Sequence, residues 1–136
     1  MNETEFMAYA EKICFSKPWT INDILAVTDS EYGVFVTLED EQGYVGYALG
    51  RISFDEAELF RIAVLPEKRN KHFGNLLLFR FMEECERKHV RRIFLEVRSK
   101  NLPAVGMYKK AGFEQISVRK GYYGDDDALI FVYPAS

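Results

Sequence analysis

One stretch, Leu95–Phe113 (Leu-Glu-Val-Arg-Ser-Lys-Asn-Leu-Pro-Ala-Val-Gly-Met-Tyr-Lys-Lys-Ala-Gly-Phe), constrains the fold of this chain more than any other. Ile93, Leu95 and Val97 alternate with Phe94, Glu96 and Arg98, the period-2 pattern of a strand. Asn101 is a good N-cap, Pro103 stands where a first helical turn tolerates proline, and Gly112 supplies a left-handed stop. The stretch therefore predicts a strand, a sharp turn and one short helix. Two polar groups sit oddly in it. Glu96 lies within a largely apolar strand, and Tyr108 lies on the apolar side of the helix with Ala104 and Ala111. A carboxylate and a phenol converging from adjacent elements point to a base and an acid.

The remaining elements supply what this unit packs against. Asn2–Cys14 predicts an amphipathic helix with apolar residues at Phe6, Ala8, Tyr9 and Ile13, ended by Phe15–Trp19. Thr20–Asp23 opens a second short helix with a capping-box-like start in which Asp replaces the usual Glu or Gln. Tyr32–Leu38 and Tyr44–Ile52 predict a hairpin around a longer polar loop, Glu39–Gly43. Glu56–Leu65 is a third long strand, ended by Pro66. Gly74–His89 is the longest helix, apolar along Leu77, Leu78, Phe81, Met82 and Cys85. Strands at Arg91–Val97, Glu114–Arg119 and Ala128–Tyr133, with the helix from Asn101, complete a mixed α/β order: a central mixed sheet flanked by helices. A length of 136 residues fits one domain spanning 1–136.

Several classes are excluded. No apolar run approaches bilayer length and the N-terminus lacks a signal-peptide core, so no membrane partner is expected. Cys14 and Cys85, in separate predicted helices, show neither a disulfide framework nor metal-ligand spacing, which points to a reduced, cytoplasmic protein without a metal. A net charge of −3 argues against direct nucleic-acid binding and suits a cationic peptide. Monomer and homodimer both remain open.

Leu95-Glu96-Val97-Arg98 with Asn101, Ala104, Tyr108 and Gly112-Phe113 resembles the core of the GNAT acetyltransferases, closest to the ribosomal-protein-alanine N-acetyltransferase branch. Glu58–Val64, Tyr122-Tyr123 and Asp127-Ala128 also resemble that branch, whereas Lys100 stands where relatives usually carry serine. The resemblance implies the GNAT fold and acetyl transfer from acetyl-CoA, with coenzyme A as product, to the N-terminal α-amine of a protein, most plausibly a ribosomal protein beginning with alanine. It also implies roles. Glu96 would deprotonate the amine, Tyr108 would protonate the coenzyme A sulfur and contact the cofactor, and Asn101 would contact the pantetheine arm. A backbone N–H near Ile62, Ala63 or Val64 would hold the oxyanion. Trp19, Tyr122 and Tyr123 would shape the acceptor side.

Between the third strand and the longest helix, Leu65–Asn75 can aim backbone N–H groups and a helix N-terminus at an anion. In the resembling family such a loop holds the pyrophosphate through Arg-x-x-Gly-x-Gly. Arg69 and Gly74 match its ends, His72 replaces its first glycine, and Asn70 stands where many relatives have another. The expected contacts are Arg69, Asn70, Lys71, His72, Phe73, Gly74 and Asn75. A side chain at His72 would crowd the phosphates, demand a costly backbone conformation, or add a hydrogen bond.

Each assignment has a plainer counterpart. Glu96 could simply pair with Arg98 or Arg119, Tyr108 could be a packed aromatic, Asn101 a helix cap and Trp19 a core anchor. Asp125-Asp126-Asp127 could attract an ammonium group or be a solvated turn. The rival functions are acetylation of a lysine or small amine, and an acyl-CoA- or partner-binding module without turnover.

Overall fold

The computed structural model describes residues 1–134. Two capping boxes start the chain. Asn2 Oδ1 accepts from the Glu5 N–H at 2.9 Å while the Glu5 carboxylate accepts from the Asn2 N–H at 2.9 Å, opening α1 (Glu3–Cys14). Thr20 and Asp23 repeat the exchange at α2 (Ile21–Thr28), so the shorter Asp closes the box. The strands β1 (Gly33–Asp40), β2 (Gly43–Ser53), β3 (Glu56–Val64), β4 (Arg92–Arg98), β5 (Glu114–Arg119) and β6 (Ala128–Tyr133) form one sheet in the order β1-β2-β3-β4-β6-β5. Only the β3–β4 pair is parallel. A single 3-10 turn, Pro66–Lys68, leads toward α3 (Phe73–Arg87), and α4 (Leu102–Lys110) follows β4.

The sheet has a core on each face. On one, Leu78, Phe81 and Cys85 of α3 and Val105 and Tyr108 of α4 meet Ala48, Leu59, Leu95 and Phe131. On the other, Phe6, Met7 and Ala10 of α1 and Ile24 and Val27 of α2 meet Tyr47, Leu49 and Ala63. Val45–Gly50 of β2 is therefore buried without interruption, as a strand covered on both sides must be.

Two expectations need correction. The hairpin turn is short. Asp40 pairs with Gly43, leaving only Glu41 and Gln42 between the strands, because Gly43 takes φ +121° and a bulge at Val45 restores the register. The buried stripe of α1 is Phe6, Met7, Ala10 and Glu11, whereas Tyr9 and Ile13 are 48% and 45% exposed. The helix is clasped by both α2 and the sheet, so its inner face follows i, i+4 pairs that include a carboxylate.

Two irregularities in β3 prepare a site. Leu49 pairs with Arg61 and Gly50 with Leu59, so Phe60 is an extra residue. This bulge reverses the strand's facing: Ala57 and Leu59 point to the α3 side, but after Phe60 it is Ile62 that does, and Arg61 and Ala63 turn toward α1. The parallel pairing of β3 with β4 also stops, at Leu59 opposite Leu95. Beyond that point the strands part, leaving a gap between Phe60–Val64 and Glu96–Arg98 in an otherwise continuous sheet.

Candidate active site

Glu96 lies at the mouth of this gap. Ile93, Leu95 and Val97 enter the α3–α4 core, so Phe94, Glu96 and Arg98 face the opposite side. There the Glu96 carboxylate, 27% exposed, lies 3.3 Å from Arg119 of β5. The pairing with Arg119 anticipated for a structural glutamate is thus present, although the pair remains open to solvent. Glu58 shares the face, one strand away. Its carboxyl is pushed above the usual range by burial and by the charge of Glu96, against the opposing pull of Arg119. Glu58, Phe60, Phe94 and Arg51 help to line a hollow of about 210 Å³ beside the gap. A larger hollow, about 490 Å³ between α1 and the β1–β2 turn, gathers Phe6, Tyr9 and Tyr44 but no converging acid and base. Neither hollow has Glu96, Tyr108, Trp19, Tyr122 or Tyr123 in its lining.

Tyr122 and Tyr123, 5.1 Å apart edge to face, form the wall on the β5–β6 side. The Arg98 guanidinium lies 4.1 Å over the Tyr123 ring and that of Arg119 lies 5.4 Å over Tyr122. Tyr123's phenol is pushed up by burial and then by the charge of Glu96, with Arg98 and Arg61 opposing, so both sides of the gap reach it electrostatically. The aspartates that follow are occupied within the protein. Asp125 pairs with Arg98 at 3.2 Å, and Asp127 accepts from the Gly121 N–H at 2.8 Å. Asp126, only 6% exposed, accepts from the Ser99 hydroxyl, the Lys100 N–H and the Asp127 N–H. Asp126 and Asp127 brace the turn after β4, whereas Asp125, 78% exposed, stays open to solvent.

Tyr108 lies across the sheet from Glu96. It is 4% exposed, packed on Phe113 at 5.7 Å and Phe131 at 6.3 Å, and burial alone raises its phenol above the usual range. The two groups therefore do not converge on one face, because β4 separates them. Glu96 lies on the α1 side of the sheet, and Tyr108 in the core on the α3–α4 side. Asn101 caps α4, accepting from the Ala104 N–H at 3.3 Å.

The loop keeps a glycine-like backbone without the glycines. Asn70 and His72 hold φ +63° and +65°, so the costly conformation foreseen for His72 is adopted, and at Asn70 as well. His72 offers no side-chain cap to α3, leaving the N–H groups of Phe73, Gly74 and Asn75 free at the helix's positive end. Phe73 is partly buried and anchors that end against the cluster of Leu38, Val45 and Leu77. Lys68 ties the loop to the hairpin through Asp40 at 2.6 Å. Arg69 turns back, its Nε donating to the Val64 carbonyl at 3.0 Å, while Lys71 and Asn75 remain on the exposed rim. The Leu65 N–H donates to Val45 at 2.9 Å, so strand alternation points Ala63's amide toward β2 and those of Ile62 and Val64 into the gap.

Trp19 lies on the α1 side of the sheet, beside Phe60. Its ring packs on Phe60 at 5.8 Å, and its backbone N–H donates to the buried Glu11 at 2.8 Å. Glu11, Tyr47, Glu58 and Arg61 carried no functional expectation. Four residues after Met7, Glu11 was legible as a charge on a buried stripe, but only if the stripe itself was placed correctly. Among the described residues no helix is long and apolar enough to cross a membrane, and no cluster of three or more metal-binding side chains occurs.

Comparison with known proteins places this arrangement. Residues 4–113 match the acetyltransferase (GNAT) family. A provisionally named ribosomal protein bS18-alanine N-acetyltransferase of Bacillus subtilis is 37% identical over 123 residues, covering 88% of this chain and 82% of its own. The ribosomal protein bS18-alanine N-acetyltransferase of Escherichia coli K12 is 30% identical over 132 residues, covering 94% and 88%. The crystal structure of the ribosomal-protein-S18-alanine N-acetyltransferase from Escherichia coli superposes with a TM-score of 0.89 at 29% identity, over 98% of this chain and 88% of that one. With its split sheet, uncapped α3 and matching sequence, the chain belongs to the GNAT family of acetyltransferases.

Proposed function

We propose that this protein transfers the acetyl group of acetyl-CoA to the N-terminal α-amine of a protein, with alanine-initiated ribosomal protein bS18 as acceptor, in the cytoplasm. The gap between β3 and β4, with Glu96 at its mouth, carries this reading, because it joins an acceptor face to a cofactor face. The names of the relatives support the acceptor.

The residues present fit the cofactor. The free amides of Phe73, Gly74 and Asn75 and the cations Arg69 and Lys71 suit a pyrophosphate. Asn101 spends its carbonyl on the helix cap and keeps its amide N–H groups for a polar arm. Acetyl-CoA supplies an acetyl thioester, open to attack by a neutral amine. Glu96 takes the amine proton, directly or through water. The amides of Ile62 and Val64, fixed by β3, stabilise negative charge on the carbonyl oxygen. Tyr108, kept protonated by burial, holds the proton for the sulfur. Trp19, Tyr122 and Tyr123 exclude water and orient the acceptor.

The test is free-thiol release from acetyl-CoA with a basic peptide beginning in alanine, beside the same peptide with a blocked N-terminus. Release with the free N-terminus alone supports the reading. Equal release with both moves the acceptor to a lysine, and none at all, despite acetyl-CoA binding, overturns it.

A further inference from the structure

The strongest feature outside the expected chemistry is the buried group around Glu11. A carboxylate 1% exposed needs partners, and Glu11 draws them from three elements. Oε1 accepts from the Trp19 backbone N–H at 2.8 Å and lies 3.4 Å from the Arg61 guanidinium of β3, while Oε2 accepts from the Tyr47 hydroxyl of β2. Arg61 holds the same segment from the other side. Its guanidinium donates to the Lys17 carbonyl at 3.0 Å and lies 4.2 Å over Phe15 and 5.3 Å over Trp19. Nε of Arg61 is buried without a partner, so the side chain is not seated for its hydrogen bonds alone. The Phe60 bulge turns Arg61 to this face, and Phe60 itself packs on Trp19.

We propose that Glu11 and Arg61 are positioning residues that clamp Phe15–Trp19 onto the β3 bulge and so set the acceptor wall of the gap. The proposal rests on the reading of a peptide acceptor. Apolar residues of like volume are often as stabilising as a buried ion pair or more so, which points to a role for this pair in fixing the arrangement of the segments it joins. Here those segments are the acceptor wall and the strand whose amides line the gap. The Leu65–Asn75 loop is not among them, so the clamp should govern the KM of the acceptor more than that of acetyl-CoA, of which only the thioester oxygen meets β3.

Trp19 is the only tryptophan, so its emission reports the clamp directly. Glu11→Gln keeps an oxygen for the Trp19 N–H but removes the charge facing Arg61. Arg61→Met keeps the apolar stem at a less buried position, and Arg61→Lys restores the charge. Both charge-removing variants should raise the KM for the alanine peptide about tenfold or more and leave the KM for acetyl-CoA within about twofold. Trp19 emission should shift to the red, with Arg61→Lys intermediate. Parallel changes in both KM values with a lower Tm, or an unchanged peptide KM, would overturn the clamp. The two readings fail separately. An inactive wild type sinks the peptide acceptor, whereas unshifted Trp19 emission in Glu11→Gln and Arg61→Met sinks the clamp whatever the acceptor.

Discussion

Glu96 illustrates how one residue can satisfy two descriptions. Its partner Arg119 is 56% exposed, and an ion pair this open is weak and easily rearranged, so it orients the carboxylate without consuming it. On the proposed reading, Glu96→Gln should lower kcat about a hundredfold or more, within the range of general-base losses, and leave acetyl-CoA affinity within about twofold. Steady-state thiol release and calorimetric titration check the two halves. Glu58 allows a test independent of catalysis. Its folded pKa is raised, first by burial and then by Glu96, so between the unfolded and the folded value the folded protein holds a proton that the unfolded chain has released. Its contribution is favourable at acid pH and is lost as pH rises through the folded value. Glu58→Gln should therefore raise Tm clearly near about pH 7.5 and hardly at about pH 4, where both states are protonated. Equal shifts at both pH values would mean that Glu58 acts through packing.

At the level of elements, the cofactor loop is the most testable. Two non-glycine residues hold left-handed backbone beside a helix start with no side-chain cap. Glycine at His72 removes a conformational cost of about 1–2 kcal/mol but loosens the unfolded chain, for a net gain of up to about 1 kcal/mol. Valine there should destabilise by at least about 1 kcal/mol and weaken acetyl-CoA binding, because a β-branched residue resists that backbone. Thermal melts and binding titrations of His72→Gly and His72→Val separate these cases. Much of this level was legible in the sequence. Caps at Asn101 and Thr20, the stop at Gly112 and the apolar run of α3 are local signals, each read within a few residues. The stripe of α1 was not, since Tyr9 and Ile13 are as apolar as what is buried and only the placement of α2 and the sheet decides between faces. The Phe60 bulge left only a faint trace: the polar positions shift from Glu56 and Glu58 to Arg61, a change of phase whose meaning shows only in the pairing with β2.

For the whole molecule, the split sheet joins the two sets of expected residues. Glu96 and Tyr108 were both singled out in the sequence as converging groups, but their separation by β4 was not foreseen, because it depends on which face α4 covers. A ligand filling the gap would touch both halves of the fold and add its binding free energy to stability. Acetyl-CoA at 100 times its Kd should raise unfolding free energy by about 2.7 kcal/mol, seen as a higher Tm that scales with ligand concentration. No shift at any concentration would remove the cofactor from the reading. The parting of β3 from β4 also has a kinetic signature. The amides of Ile62 and Val64 are rungs without a neighbouring strand, lying in the middle of a sheet where exchange with solvent is normally slowest. In deuterium exchange they should behave as edge positions in the free protein and slow markedly with acetyl-CoA, while Leu49 and Leu95 change little. The sheet would then be completed by its ligand, which serves as the missing strand.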